Sequence, residues 1–440
     1  MRLRYLMAVA AAALTLHSCG KTEKKSPMLN GMPDLILCQA QFRNETGVDG
    51  KVQRVAGAAR MVLAYQSNGG FETELIEDKE SNVFHKAIPY INHEGKEGIL
   101  SIGGNDAYMK FWTRSGGKWI SETLYKGEFG SSNNRLRDIE IGDVTGDGQD
   151  DIVLATHDQG VVLVLQYKEN RWQPTELDRS PDTYVHEIEL GDVDRDGIQE
   201  IFATPSAPNK YDGTIQPGLI PMYDYKNGKF IRTVVEDFGN RHAKEILCAD
   251  LEDDGQMELY CALEATMKKV PIQGGSKMAV SGDSPALVKR YDFQQNGRID
   301  IRTFLTLRDL KCRFLTIGET DGDPQKEMVI SPMKTGVWVV DFANGKWNQL
   351  QIDRQSSGFE HATVVADIDN NGVDEIYVVA EEQRVLRRYT WTDSYYKTED
   401  ILPIGEGFIT FGIMPGKIAA YKRMEEIRKT SPQKVQIAKQ

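Results

Sequence analysis

The chain has 440 residues, a formal net charge of −12 and 40% hydrophobic residues. This length suits several average domains or one large all-β domain, and the acidity argues against a nucleic-acid partner. Past the N-terminus no stretch is apolar enough to cross a bilayer as a helix, which predicts a soluble body.

The first residues predict export. Arg2 and Arg4 precede an apolar run over residues 5–16 that is too short to span a membrane. It ends in Leu16-His17-Ser18-Cys19 before Gly20, which resembles a bacterial lipobox. The resemblance implies that residues 1–19 are a lipoprotein signal, with Cys19 lipidated and inserted into a lipid bilayer. The protein would then belong to the cell envelope, at the outer membrane or surface of a Gram-negative cell. The alternative is that Cys19 is an ordinary thiol. Residues 20–32 are polar and read as a flexible tether. Cys38, Cys248, Cys261 and Cys312 remain; their three possible pairings stay open, and the lack of CxxC argues against a thiolate zinc site.

Residues 33–416 carry a repeat. Strand-like segments rich in Ile, Val and Leu flank an acidic loop after Ile139, Ile188, Ile246, Leu315 and Val364, with a degenerate copy at Ile91. A second signal alternates with it: a turn, then an aromatic or aliphatic residue opening a strand. It recurs at Phe71, Trp119, Trp172, Phe230, Ile299, Trp347 and Tyr396. Most copies lie about 50 residues apart, the length of a four-stranded propeller blade. The prediction is an all-β fold, a seven-bladed β-propeller with metal loops between the inner strands of its blades. Residues 408–413 would complete the first blade and close the ring, removing exposed sheet edges. Residues 417–440 form a polar tail with a helix-like stretch over 419–428.

The loops have the spacing of oxygen ligands for Ca²⁺, with a Gly permitting the sharp turn. The candidate sets are Asp143, Thr145, Asp147, Gln149 and Asp151; Asp192, Asp194, Asp196, Ile198 and Glu200; and Asp250, Glu252, Asp254, Gln256 and Glu258. Two more are Glu319, Asp321, Asp323, Gln325 and Glu327, and Asp367, Asp369, Asn371, Val373 and Glu375. The fourth copy has Pro324 in place of the Gly, and the Asn92 copy lacks the acids. Asp/Gly hairpin turns would explain one such loop, but repeated copies need a cation to offset the packed carboxylates. About three to five structural Ca²⁺ are expected. The pattern Asp-x-Asp-x-Asp-Gly-x-x-Asp/Glu between apolar strands resembles the FG-GAP/VCBS repeat family over roughly residues 84–389. The resemblance implies an integrin-type calcium-loop propeller with the loops on one face.

Six positions before the first ligand of each loop stand Lys86, Arg137, His186, Lys244, Arg313 and His361. This basic column is expected around the channel mouth, away from the loops. His85 is expected to face the other side of its strand. Two long connections, residues 205–221 with Lys210 and Tyr211 and residues 266–289 with Lys268, Lys269 and Lys277, are expected on the same face. Either each basic residue pairs with a neighbouring carboxylate, or the column forms a funnel for an anion. The partners so implied are an acidic glycan or an envelope protein, bound without catalysis. A lyase acting on uronate polymers and a scaffold subunit of an envelope complex are the alternatives.

Overall fold

Short apolar runs bounded by Asp/Gly turns form antiparallel sheets, and a computed structural model shows how they assemble. It describes residues 31–47, 50–67, 70–130, 134–207, 217–271, 278–282 and 284–429. Cys19, Lys210, Tyr211 and Lys277 lie outside the described residues.

Blade two is built from Phe84–Ile91, Glu97–Gly103, Tyr108–Ser115 and Lys118–Lys126, each strand paired with the next. Blade three follows with Leu136–Gly142, Asp151–Thr156, Val162–Lys168 and Arg171–Asp178, and blade four with Tyr184–Gly191, Glu200–Ser206, Leu219–Lys226 and Lys229–Asp237. Blade five comprises Ala243–Ala249, Glu258–Leu263, Leu287–Phe293 and Ile299–Thr306, with a separate hairpin, Met267–Pro271 and Met278–Gly282, inserted before its third strand. Lys268 and Lys269 lie in that hairpin. Cys312–Gly318, Glu327–Pro332, Val337–Ala343 and Lys346–Asp353 make blade six. Thr363–Ala366, Glu375–Ala380, Val385–Trp391 and Tyr396–Pro403 make blade seven.

Blade one joins the two ends of the propeller. Phe408–Pro415 is its innermost strand and runs antiparallel to Leu35–Thr46, which is followed outward by Ala59–Ser67 and Gly70–Asp78. The inner strands of the seven blades neighbour one another in a closed ring. The chain is a seven-bladed β-propeller.

Neighbouring blades cover both faces of each second strand, so Ile152, Val153, Leu154 and Ala155 are all fully buried. An uninterrupted apolar run of that length needs such two-sided cover, and each large aliphatic side chain buried in it stabilises by about 1.5–3 kcal/mol. Outer strands alternate instead: Glu176 is exposed on a strand whose Trp172 is half-buried. The four described cysteines are buried free thiols. Cys248 stands opposite Leu259, two positions out of step with Cys261, so the two do not face each other.

A helix, Ile418–Lys429, follows the closing strand and packs against the inner strands of blades one, two, five, six and seven. It buries Met424 and Ile427, and Arg428 O accepts the Asp250 N–H at 2.8 Å. The helix therefore crosses the channel at its acidic-loop end. Among the described residues no helix is long and apolar enough to cross a membrane.

Candidate metal loops and channel mouth

Each acidic loop is folded by its own carboxylates. Asp143, Asp192, Asp250 and Asp367 each accept the N–H of the glycine five residues on, at 2.8, 3.1, 2.9 and 3.0 Å. Those glycines, 148, 197, 255 and 372, have φ between 81° and 97°, which a side chain at that position would oppose. In blade six the equivalent residue is Pro324, which has no N–H, and Glu319 accepts from Gly322 instead. In four loops the last acid reaches back across the turn: Asp151, Glu200, Glu327 and Glu375 accept from the N–H groups of Val144, Val193, Thr320 and Ile368.

This folding leaves carboxylates clustered. Asp192, Asp194 and Glu200 bring ligand oxygens within 4.8 Å of one another, as do Glu252, Asp254 and Glu258, and Asp367, Asp369 and Glu375. In blade six the cluster is Asp321, Glu327 and Asp341. Asp341 comes from the third strand and has no signal within the loop sequence. Asp147, Asp196, Asp323 and Asn371 each turn a side-chain oxygen to the N–H two residues on, at Gln149, Ile198, Gln325 and Val373.

Burial pushes the carboxyl groups of Glu200 and Glu258 up to about 8 and of Glu375 to about 7. Asp192 Oδ1, Glu327 Oε1 and Glu375 Oε1 are buried without a hydrogen-bond partner. Oxygen-only sets whose buried carboxyl oxygens lack partners fit a hard divalent cation, which would hold them ionised.

The opposite end of the channel is shaped by bulges. At the start of the inner strand the ladder skips Phe411 in blade one, His85 in blade two, Arg137 in blade three, Lys244 in blade five and Arg313 in blade six. In blade four it skips His186 and Glu187. A bulged residue is released from the pleat and re-aimed. Here Phe411, His85, Arg137, His186 and Arg313 line one cavity of about 320 Å³.

Three members of the expected column, Lys86, Lys244 and His361, do not line this cavity. Lys86 is a ladder residue opposite Ile102, one step deeper than the bulge, where it pairs with Asp138 at 3.1 Å and with Glu140. Counting back from the short Asn92 loop misses the extra residue of this inner strand, so His85 occupies the mouth position. His361, with φ of 45°, turns away from the cavity; its imidazole bonds Ser356 Oγ at 2.7 Å and Pro332 O at 2.6 Å.

Lys244 and the members that line the cavity differ in what holds them. Lys244 is buried against Glu245. Arg313 lies 3.3 Å from Glu264 and 3.0 Å from Glu360. Arg137 lines the cavity and makes no hydrogen bond or ion pair among the described residues. Neither ring nitrogen of His186 has a partner, and the same holds for His242, whose ring is 4.7 Å away. Burial, reinforced by neighbouring cations, holds His85 and His186 well below the usual imidazole range, so both are neutral near pH 7.

Residues without a repeat signal complete the mouth. His157 follows the second strand of blade three, with its Nδ1 3.0 Å from Asp158, which also pairs with Arg135 at 2.7 Å. Phe42 and Ala56 face each other across the hairpin of Leu35–Thr46 and Val52–Ala56 and form an apolar wall. Only the folded ring brings these loops together.

Residues 143–203 match the FG-GAP-like repeat model. No curated protein matches the chain. Among solved structures, the cobalt-substituted apocarotenoid oxygenase of Synechocystis aligns with 9% identity and a TM-score of 0.50, covering 89% of this chain and 93% of that one. A 6-phosphogluconolactonase-like protein of Bacteroides uniformis aligns with 10% identity and a TM-score of 0.49, covering 87% and 99%. At such identities the likeness is one of fold.

Proposed function

We propose that this seven-bladed propeller with an FG-GAP-like repeat is an exported, lipid-anchored binding module that captures an anionic group of an acidic glycan at the channel mouth. The observation that carries the reading is Arg137, a cation lining a cavity of about 320 Å³ and making no hydrogen bond or ion pair among the described residues, with Glu187 and Glu360 within electrostatic reach. A guanidinium whose donors are unused in a concave, partly apolar site favours a carboxylate or sulfate that accepts from them. His186 adds a neutral hydrogen-bonding ring beside it, and Phe42 and Phe411 offer faces for the C–H side of a sugar.

Calcium is the cation we assign to the loops, because the donors are oxygens on a repeated turn and their number suits a large hard ion. Its role is to brace the turn joining inner and second strands, leaving the far mouth rigid.

The test is binding of the calcium-loaded protein to an array of neutral and acidic glycans. Salt-sensitive retention of uronate or sulfated members, lost in Arg137→Gln, supports the reading. Silence across the array, or equal binding by R137Q, removes it in favour of a protein partner. The anchor has its own test: Cys19→Ser should abolish incorporation of labelled palmitate and release the protein from the membrane fraction.

A further inference from the structure

Among the described residues four clusters gather three carboxylates each, and the one in blade five encloses a guanidinium. In blade five the guanidinium of Arg290 lies 2.8 Å from Glu252, 3.1 Å from Glu258 and 2.6 Å from Asp292. Its side chain is 3% exposed, so it is enclosed among these acids. Lys226 also reaches Asp194 in blade four, at 3.0 Å, but its side chain is 43% exposed, and Arg423 of the C-terminal helix touches blade seven's cluster only at Asp367, at 3.5 Å, whereas Arg290 engages two of the three acids of its cluster.

Blade seven shows why the arginine turns inward. Arg388 holds the matching place there, three residues before the aromatic that ends the third-strand pattern: Trp391 in blade seven, Phe293 in blade five. Arg388 stands across the ladder from Glu399 and bonds it at 2.8 Å, and among the described residues it forms no ion pair with the acids of its own loop. Arg290 stands across from Arg302. Two like charges directly opposite on a sheet repel, which drives Arg290 toward the loop acids.

The consequence is legible in the carboxylates. Glu327 Oε1 and Glu375 Oε1 are buried without partners, whereas Oε1 of Glu258, their counterpart in blade five, has Arg290 at 3.1 Å. Blade six makes the same comparison from the third strand. Asp341 precedes Phe342 as Asp292 precedes Phe293, and it completes a cluster with Asp321 and Glu327 that holds no cationic side chain.

We propose that Arg290 is the built-in cation of blade five, so that this loop takes no calcium while its neighbours do. The inference rests on the calcium reading of the other loops. A divalent ion entering blade five would have to share Glu252 and Glu258 with an enclosed guanidinium, and like-charge repulsion at that separation opposes it.

The experiment counts calcium ions on the full chain by native mass spectrometry, for the parent protein, Arg290→Met and Arg302→Glu. Each variant is expected to carry one more ion than the parent. R290M vacates the site and keeps the aliphatic bulk; R302E supplies the outward carboxylate that blade seven has and leaves both loop and arginine in place, so it covers the case in which R290M does not fold. Equal counts in the parent and in every variant that folds overturn the inference while leaving calcium in the other loops. Zero ions throughout overturn the calcium reading and this inference with it.

Discussion

The guanidinium of Arg428, one residue before the end of the C-terminal helix, stands 3.3 Å from the Glu189 carboxylate on the inner strand of blade four. The same helix sends Arg423 to the Gly372 carbonyl at 2.8 Å and to Asp374 at 3.3 Å in blade seven. These contacts bolt the acidic-loop end of the channel across the ring. Burial pushes the Glu189 carboxyl up, and Arg428 is the main cation opposing that rise. Removing it leaves buried acids uncompensated. Arg428→Met should therefore cost about 3 kcal/mol in urea unfolding, and ending the chain after Gly416 should cost more. A change below about 0.5 kcal/mol would mean that the helix is not a structural bolt.

Arg137 and Arg313 should separate under mutation, although they occupy the same place in the repeat. Arg313 pairs with both Glu264 and Glu360 in the interior, so Arg313→Gln should destabilise by about 3 kcal/mol or more. Arg137 interacts with Glu187 and Glu360 only at longer range and forms no ion pair among the described residues, so Arg137→Gln should cost much less in melting temperature than Arg313→Gln and lose anion binding. Equal thermal penalties for the two would refute the assignment of Arg137 to a ligand.

Calcium removal should lower stability. Each ion saturated to a hundred times its dissociation constant contributes about 2.7 kcal/mol to the folded state. EGTA should lower the melting temperature by several degrees, and readdition of calcium should restore it. Glu375→Gln, which alters one last-position acid, should reduce the EGTA effect by one ion's share. A melting curve indifferent to EGTA would exclude a bracing role.

Acid should weaken the fold through two buried histidines. Burial lowers His242 and His361 to about 4, with nearby Lys311 and Lys244 adding to the effect at His242. Their unfolded values lie near 6.5, so between about pH 6.5 and 4 the unfolded chain binds more protons. The stabilisation is complete above about pH 6.5 and is lost as pH falls toward 4. Replacing His361 by Gln should flatten the decline in melting temperature between pH 7 and 4.5, at some cost at pH 7 from the Ser356 and Pro332 contacts. An unchanged slope would show that His361 does not contribute to acid unfolding.

The blade count was legible because it depends on local, repeated chemistry. Apolar runs such as 152–155 and the acidic turns after Gly142 and Gly191 each specify a strand or a turn within a few residues. The closing strand was legible too, since seven outer-strand signals left one inner strand to be found near residue 408. The mouth was harder. A bulge shifts side-chain direction by one residue, and nothing in the spacing of Lys86 or His361 reveals it.

Sequence by itself determined the sheet class, the repeat and the acidic turns, because each is encoded by neighbours along the chain. It also supplied the candidate cations of the mouth, but not their state of pairing. Whether Arg313 meets Glu264, whether Arg290 turns from Arg302 toward Glu258, and whether Arg137 comes within ion-pair distance of an acid depend on residues dozens of positions apart or on opposite strands. Those choices are made by strand register and ring closure, since the balance between a compensated and an uncompensated buried charge changes over a few ångströms.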